Sequence, residues 1–104
     1  MALRVYVCRT GDVADGEARA FEVDGVAHPV LIVNSAGTYR ACSSICPHED
    51  VSLDGGDLEG TRLTCPGHGY EFDLVTGRCD PDASLVLPRY RVTLIGDAVW
   101  IDMV

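Results

Sequence analysis

Residues 46–68 open with Cys46-Pro47-His48 and close with Cys65-Pro66-Gly67-His68, and sixteen residues separate the two boxes. Each box offers one thiolate and one imidazole, the side chains that hold redox iron and zinc best. Each also carries Pro or Gly, so both read as loops. Two mixed pairs of this kind predict a single four-ligand site. The rest of the chain must then be a scaffold that brings two loops together.

That scaffold reads as β. Residues 3–8 alternate apolar and polar. Residues 19–23 alternate and meet Asp24-Gly25, a two-residue hairpin signal. Residues 30–33 are an apolar run, followed by Asn34-Ser35-Ala36-Gly37 as a turn and by a strand over 38–42. Short strands are expected at 62–64 and 70–73, with a turn at Thr76-Gly77. A final hairpin over 89–95 and 98–103 closes around Gly96-Asp97. Only residues 10–20 have a helix-like composition, interrupted by Gly11 and Gly16. Turns at short, regular spacing predict an all-β antiparallel sandwich or barrel.

Residues 43–82 differ in texture. They hold six of the eleven glycines, three of the five prolines, two of the three histidines and three of the five cysteines. This predicts a loop-rich, metal-binding subdomain inserted into the β base. With few apolar residues of its own, it is expected to depend on a bound centre rather than on a core.

Bulk properties narrow the function. A chain of 104 residues supports one domain, spanning 1–104. Its net charge of −8 argues against nucleic acid, which needs a basic surface. No apolar run approaches the roughly 20 residues that span a bilayer. The alternating start lacks the apolar core of a signal peptide, so a cytoplasmic protein is expected. Five cysteines in that setting point to metal or redox chemistry more than to a disulfide framework.

The two boxes, with Gly69, Phe72-Asp73, Thr76-Gly77 and the closing Leu87-Pro88-Arg89-Tyr90-Arg91-Val92, resemble the small Rieske-type [2Fe-2S] ferredoxins. The resemblance covers most of the chain and implies the Rieske fold with one [2Fe-2S] cluster. It implies that Cys46 and Cys65 bind the inner iron and that His48 and His68 bind the outer iron near solvent. Asp80-Pro81 would begin a third loop covering the cluster. High-potential relatives carry an extra cysteine in each box, joined by a disulfide, where this chain has Val51 and Gly67. They also carry a serine donor where this chain has Tyr70. Those absences imply a potential toward the low end of the Rieske range.

Charge explains why the ligand set matters. Two ferric ions and two sulfides carry +2, and two thiolates cancel it. Neutral histidines add nothing, whereas four cysteines would leave a dianion. Adding an electron to the neutral centre is easier, and His-ligated centres accordingly run at roughly −150 to +300 mV against about −400 mV for four-cysteine ferredoxins.

Structural zinc is the rival occupant, although common zinc sites group their cysteines together and their histidines together. A brown-red protein with a thiolate-to-iron spectrum separates the two. Other residues have plainer readings. His28 is expected to be exposed or satisfied, Cys42 a small buried hydrophobe, and Cys79 a loop residue open to solvent. Cys8 carries no assignment, and Trp100 and Tyr90 read as packing of the last hairpin. Gly67 and Gly69 are expected to let backbone approach the cluster closely. The acidic run Asp50, Asp54, Asp57 and Glu59 is either a solvated face or a docking surface for a basic partner.

Once the cluster takes His48 and His68, only His28 remains, so the mononuclear-iron triad of an oxygenase cannot be built. No G-x-G-x-x-G occurs for a nucleotide cofactor. The resemblance therefore implies a monomeric electron carrier and not an enzyme. It would link a flavin-dependent NAD(P)H ferredoxin reductase to a terminal aromatic-ring-hydroxylating oxygenase, with no membrane or nucleic-acid partner. The alternative is a Rieske small subunit held permanently in a nitrite-reductase-like complex.

Overall fold

In a computed structural model, residues 3–26, 28–48, 51–67, 69–80 and 82–102 are described. His68, Asp50, Pro81 and Met103 lie outside them. The strands are β1 Arg4–Arg9, β2 Ala18–Phe21, β3 Val30–Ser35, β4 Thr38–Ser43, β5 Asp57–Glu59, β6 Arg62–Thr64, β7 Glu71–Asp73, β8 Cys79–Asp80, β9 Arg89–Ile95 and β10 Ala98–Asp102. One single-turn 3-10 helix, Thr10–Asp12, follows β1. It is the only helix among the described residues, so the helix-like composition of 10–20 yields one turn and then β2.

The strands form two antiparallel sheets, ordered β1-β10-β9-β4-β3-β2 and β5-β6-β7-β8. The six-stranded sheet curls on itself. Val99 and Ile101 of β10 meet Val30 and Ile32 of β3 in one core, with Cys8, Val13, Val23 and Ala41. The other face of β3 sends Leu31 and Val33 into a second core beneath the small sheet. Burial on both faces is why β3 reads as an unbroken apolar run rather than an alternating one.

Two loop expectations change. Asn34 and Ser35 continue β3, and the turn is only Ala36-Gly37, because Asn34 pairs with Tyr39 and Ser35 with Thr38. Both turn residues have positive φ, at 52° and 85°, as a two-residue hairpin requires. The Asn34 side chain is buried, donating to Val13 O at 3.0 Å and accepting from Gly37 N at 2.9 Å. Asp24-Gly25 does turn, with Val26 N donating to Val23 O. It is not a two-residue hairpin, however, because β2 and β3 close at Phe21 and Val30.

The small sheet is inserted between β4 and β9, which are themselves neighbours through Ala41–Tyr90 and Cys42–Arg89. The chain therefore leaves and re-enters the base at one place. The expectation that 43–82 lacks a core is corrected: Leu53, Leu63 and Phe72 are fully buried there, with Leu74 nearly so. Cys79 is corrected as well. It is a buried β8 residue opposite Phe72, which in turn faces Leu63.

Candidate metal centre

Both cysteine boxes sit on matched hairpin ends. Cys46 N donates to Val51 O at 2.9 Å, and Cys65 N donates to Tyr70 O at 2.7 Å. In each case the cysteine bonds five residues ahead, so each loop is closed at its base, and His48 lies further out than Cys46. Cys46 and Cys65 are 1% and 2% exposed. Buried cysteine sulfurs at the loop bases, with His48 less buried, fit an inner, sulfur-held metal and an outer, nitrogen-held one.

The chain builds the first box directly from β4. Ser44, almost fully buried, donates its N–H to Pro29 O and accepts from Leu53 N. An isolated bridge between Ile45 and Ser52 narrows the loop further. The second box joins β6 to β7, and Gly69 N donates to Cys65 O at 3.2 Å. Gly69 has φ +74, and a Cβ there would meet nothing within 4 Å. That backbone conformation by itself calls for glycine at 69.

His48 is partly buried and stacks on Tyr70, with ring centroids 3.8 Å apart and planes 19° from parallel. A residue two positions past the second box thus packs on His48, an expected ligand of the first. Asp82 accepts from Ser84 Oγ at 2.5 Å and Ser84 N at 3.0 Å, which holds its carboxyl below the usual range, and nearby His48 contributes in the same direction. Leu85 packs against the core that contains Cys46 and Cys65, and Pro81, in the expected third loop, lies outside the described residues.

Cys79 lies behind the site. Burial first pushes its thiol up, and its Sγ donates to Asp80 O at 3.8 Å. Cys42 is likewise a buried thiol. His28 is exposed and remote in sequence from both boxes. Among the described residues no three Cys, His, Asp or Glu side chains converge on one ion. The fourth expected ligand, His68, lies outside those residues.

The Rieske [2Fe-2S] domain model matches residues 4–90. The chain belongs to the Rieske [2Fe-2S] family. Membership indicates one Rieske-type [2Fe-2S] cluster, and the buried sulfur donors at the two hairpin bases fit it. The chain is 36% identical over 98 residues to the ferredoxin component of the alkene monooxygenase system of Xanthobacter autotrophicus, covering 93% of this chain and 79% of that one. It is 35% identical to the ferredoxin component of biphenyl 2,3-dioxygenase of Rhodococcus jostii, covering 93% and 90%. Its fold matches a chain in the complex of reduced oxygenase and oxidized ferredoxin in carbazole 1,9a-dioxygenase, with a TM-score of 0.85, 26% identity and coverage of 95% and 92%. These relatives are electron-transfer components rather than catalysts. No helix among the described residues is long and apolar enough to cross a membrane.

Sequence reasoning did not find the Tyr70–His48 contact or the burial of Cys79. The first joins residues 22 positions apart across two loops. The second depends on a two-residue strand.

Proposed function

We propose that this chain carries single electrons from a flavin-dependent NAD(P)H reductase to a terminal aromatic-ring-hydroxylating oxygenase. It would work as a monomeric, cytoplasmic shuttle, a single Rieske domain over 1–104 with its cluster-binding part at about 43–82. The observation that carries this reading is the near full-length likeness to ferredoxin components of oxygenase systems, joined to a buried cysteine at the base of each box.

Cys46 and Cys65 would hold the inner iron, and His48 and His68 the outer iron. Bound there, the [2Fe-2S] group supplies one-electron redox chemistry. The protein's part is to close both loops at their cysteines, keep water from the two sulfurs and present the histidine end to a partner. Both partners need that end, so they compete for it. Each encounter is brief and buries less than roughly 1,200 Å² in total.

Reconstitution with candidate reductase and oxygenase pairs tests the reading. Substrate turnover should require this chain, and turnover undiminished in its absence contradicts it. A permanent nitrite-reductase-like subunit would instead co-elute with its oxidoreductase on size exclusion.

A further inference from the structure

We infer that Tyr70 is a positioning residue for His48, a ring clamp by which the second box fixes the imidazole plane of the first. This rests on the proposed ligand role of His48. Tyr70 is tied down in two ways, since its carbonyl accepts from Cys65 N at 2.7 Å and its side chain packs against the buried core. Its ring then lies over the His48 ring at 3.8 Å, only 19° from parallel. A histidine on a loop can rotate about its side-chain bonds, and each rotation re-aims the nitrogen lone pair. A face-to-face neighbour from a different loop blocks that rotation, much as the outer hydrogen bonds of metal-bound histidines do. The clamp also joins the two loops, so losing one ligand position loosens the other.

The ring plane, not the phenol oxygen, does the positioning. Tyr70→Phe keeps the ring, while Tyr70→Leu and Tyr70→Met keep apolar bulk without a plane. The test uses cluster-loaded protein. It measures how fast visible absorbance is lost to an iron chelator, and it records the histidine nitrogen couplings of the reduced state by pulsed paramagnetic resonance. Tyr70→Phe should match the parent in both. Tyr70→Leu or Tyr70→Met should lose the cluster roughly three- to tenfold faster, as expected for removing one aromatic stack, with altered or broadened nitrogen couplings. If one of these two does not fold, the other decides. Couplings and loss rates equal to the parent in a folded ring-less variant overturn the clamp while leaving the electron-carrier reading intact. Loss of the parental couplings in Tyr70→Phe overturns it too. A parent that assembles no cluster overturns the ligand assignment itself.

Discussion

Burial in the core pushes the Cys42 thiol up to about 12 from an ordinary 9.0. The folded state therefore holds this proton more tightly than the unfolded chain does. The associated stabilisation is intact below pH 9 and is lost as pH rises from 9 through 12, at about 1.4 kcal/mol per pH unit for one thiol. Chemical denaturation between pH 8 and 11 should show parent stability falling more steeply than that of Cys42→Ala, and equal slopes would contradict this. His48 makes a second residue-scale case. His48→Cys replaces a neutral ligand with a thiolate, so an assembled cluster should titrate at a lower potential than the parent's and transfer electrons more slowly. An unchanged midpoint would refute the charge argument. Both residues are readable in the sequence, one as an apolar strand position and the other as half of a box. Tyr70 is not, because its partner is distant along the chain and a tyrosine beside a glycine carries no local mark of stacking.

Among the elements, the β7–β8 turn is the least forgiving. Gly77 is buried at φ +80, and a Cβ on it would lie 2.8 Å from Leu87 O. Its N–H donates to Asp73 O and its carbonyl accepts from Leu87 N, which joins the small sheet to the return segment. Gly77→Ala should cost roughly 1–3 kcal/mol and speed hydrogen exchange in β7 and β8 before the base sheet. Uniform loosening of both sheets would argue against a local effect. The longer strands were legible from alternation and turn residues: β9 begins and ends where the pattern places it, while the short β6 was marked only by its place just before the second box. β5 and β8 were not, since three and two residues are too few to show a period of two. That same shortness concealed the core of the inserted sheet. Leu53, Leu63 and Phe72 lie on separate segments and form a buried layer only after the strands pair.

Across the whole molecule, charge is unevenly divided. Residues 43–82 hold nine of the sixteen acidic side chains and two of the eight arginines, so they carry −7 of the net −8. Asp54, Asp57, Glu59, Asp80 and Asp82 are exposed there. Exposed acidic side chains on that segment steer it toward basic partner surfaces, and screening grows as ionic strength rises. Electron transfer from the proposed reductase should therefore slow between low and physiological salt through its association rate, and an unchanged rate would assign the acidic residues to solvation alone. The account's central claim is that two cysteines and two histidines on matched hairpins hold one iron pair. Iron and acid-labile sulfide analysis of anaerobically purified protein tests it most directly. Two irons and two sulfides per chain are predicted, both lost in Cys46→Ser; a chain without sulfide, or one holding a single zinc ion, would contradict it.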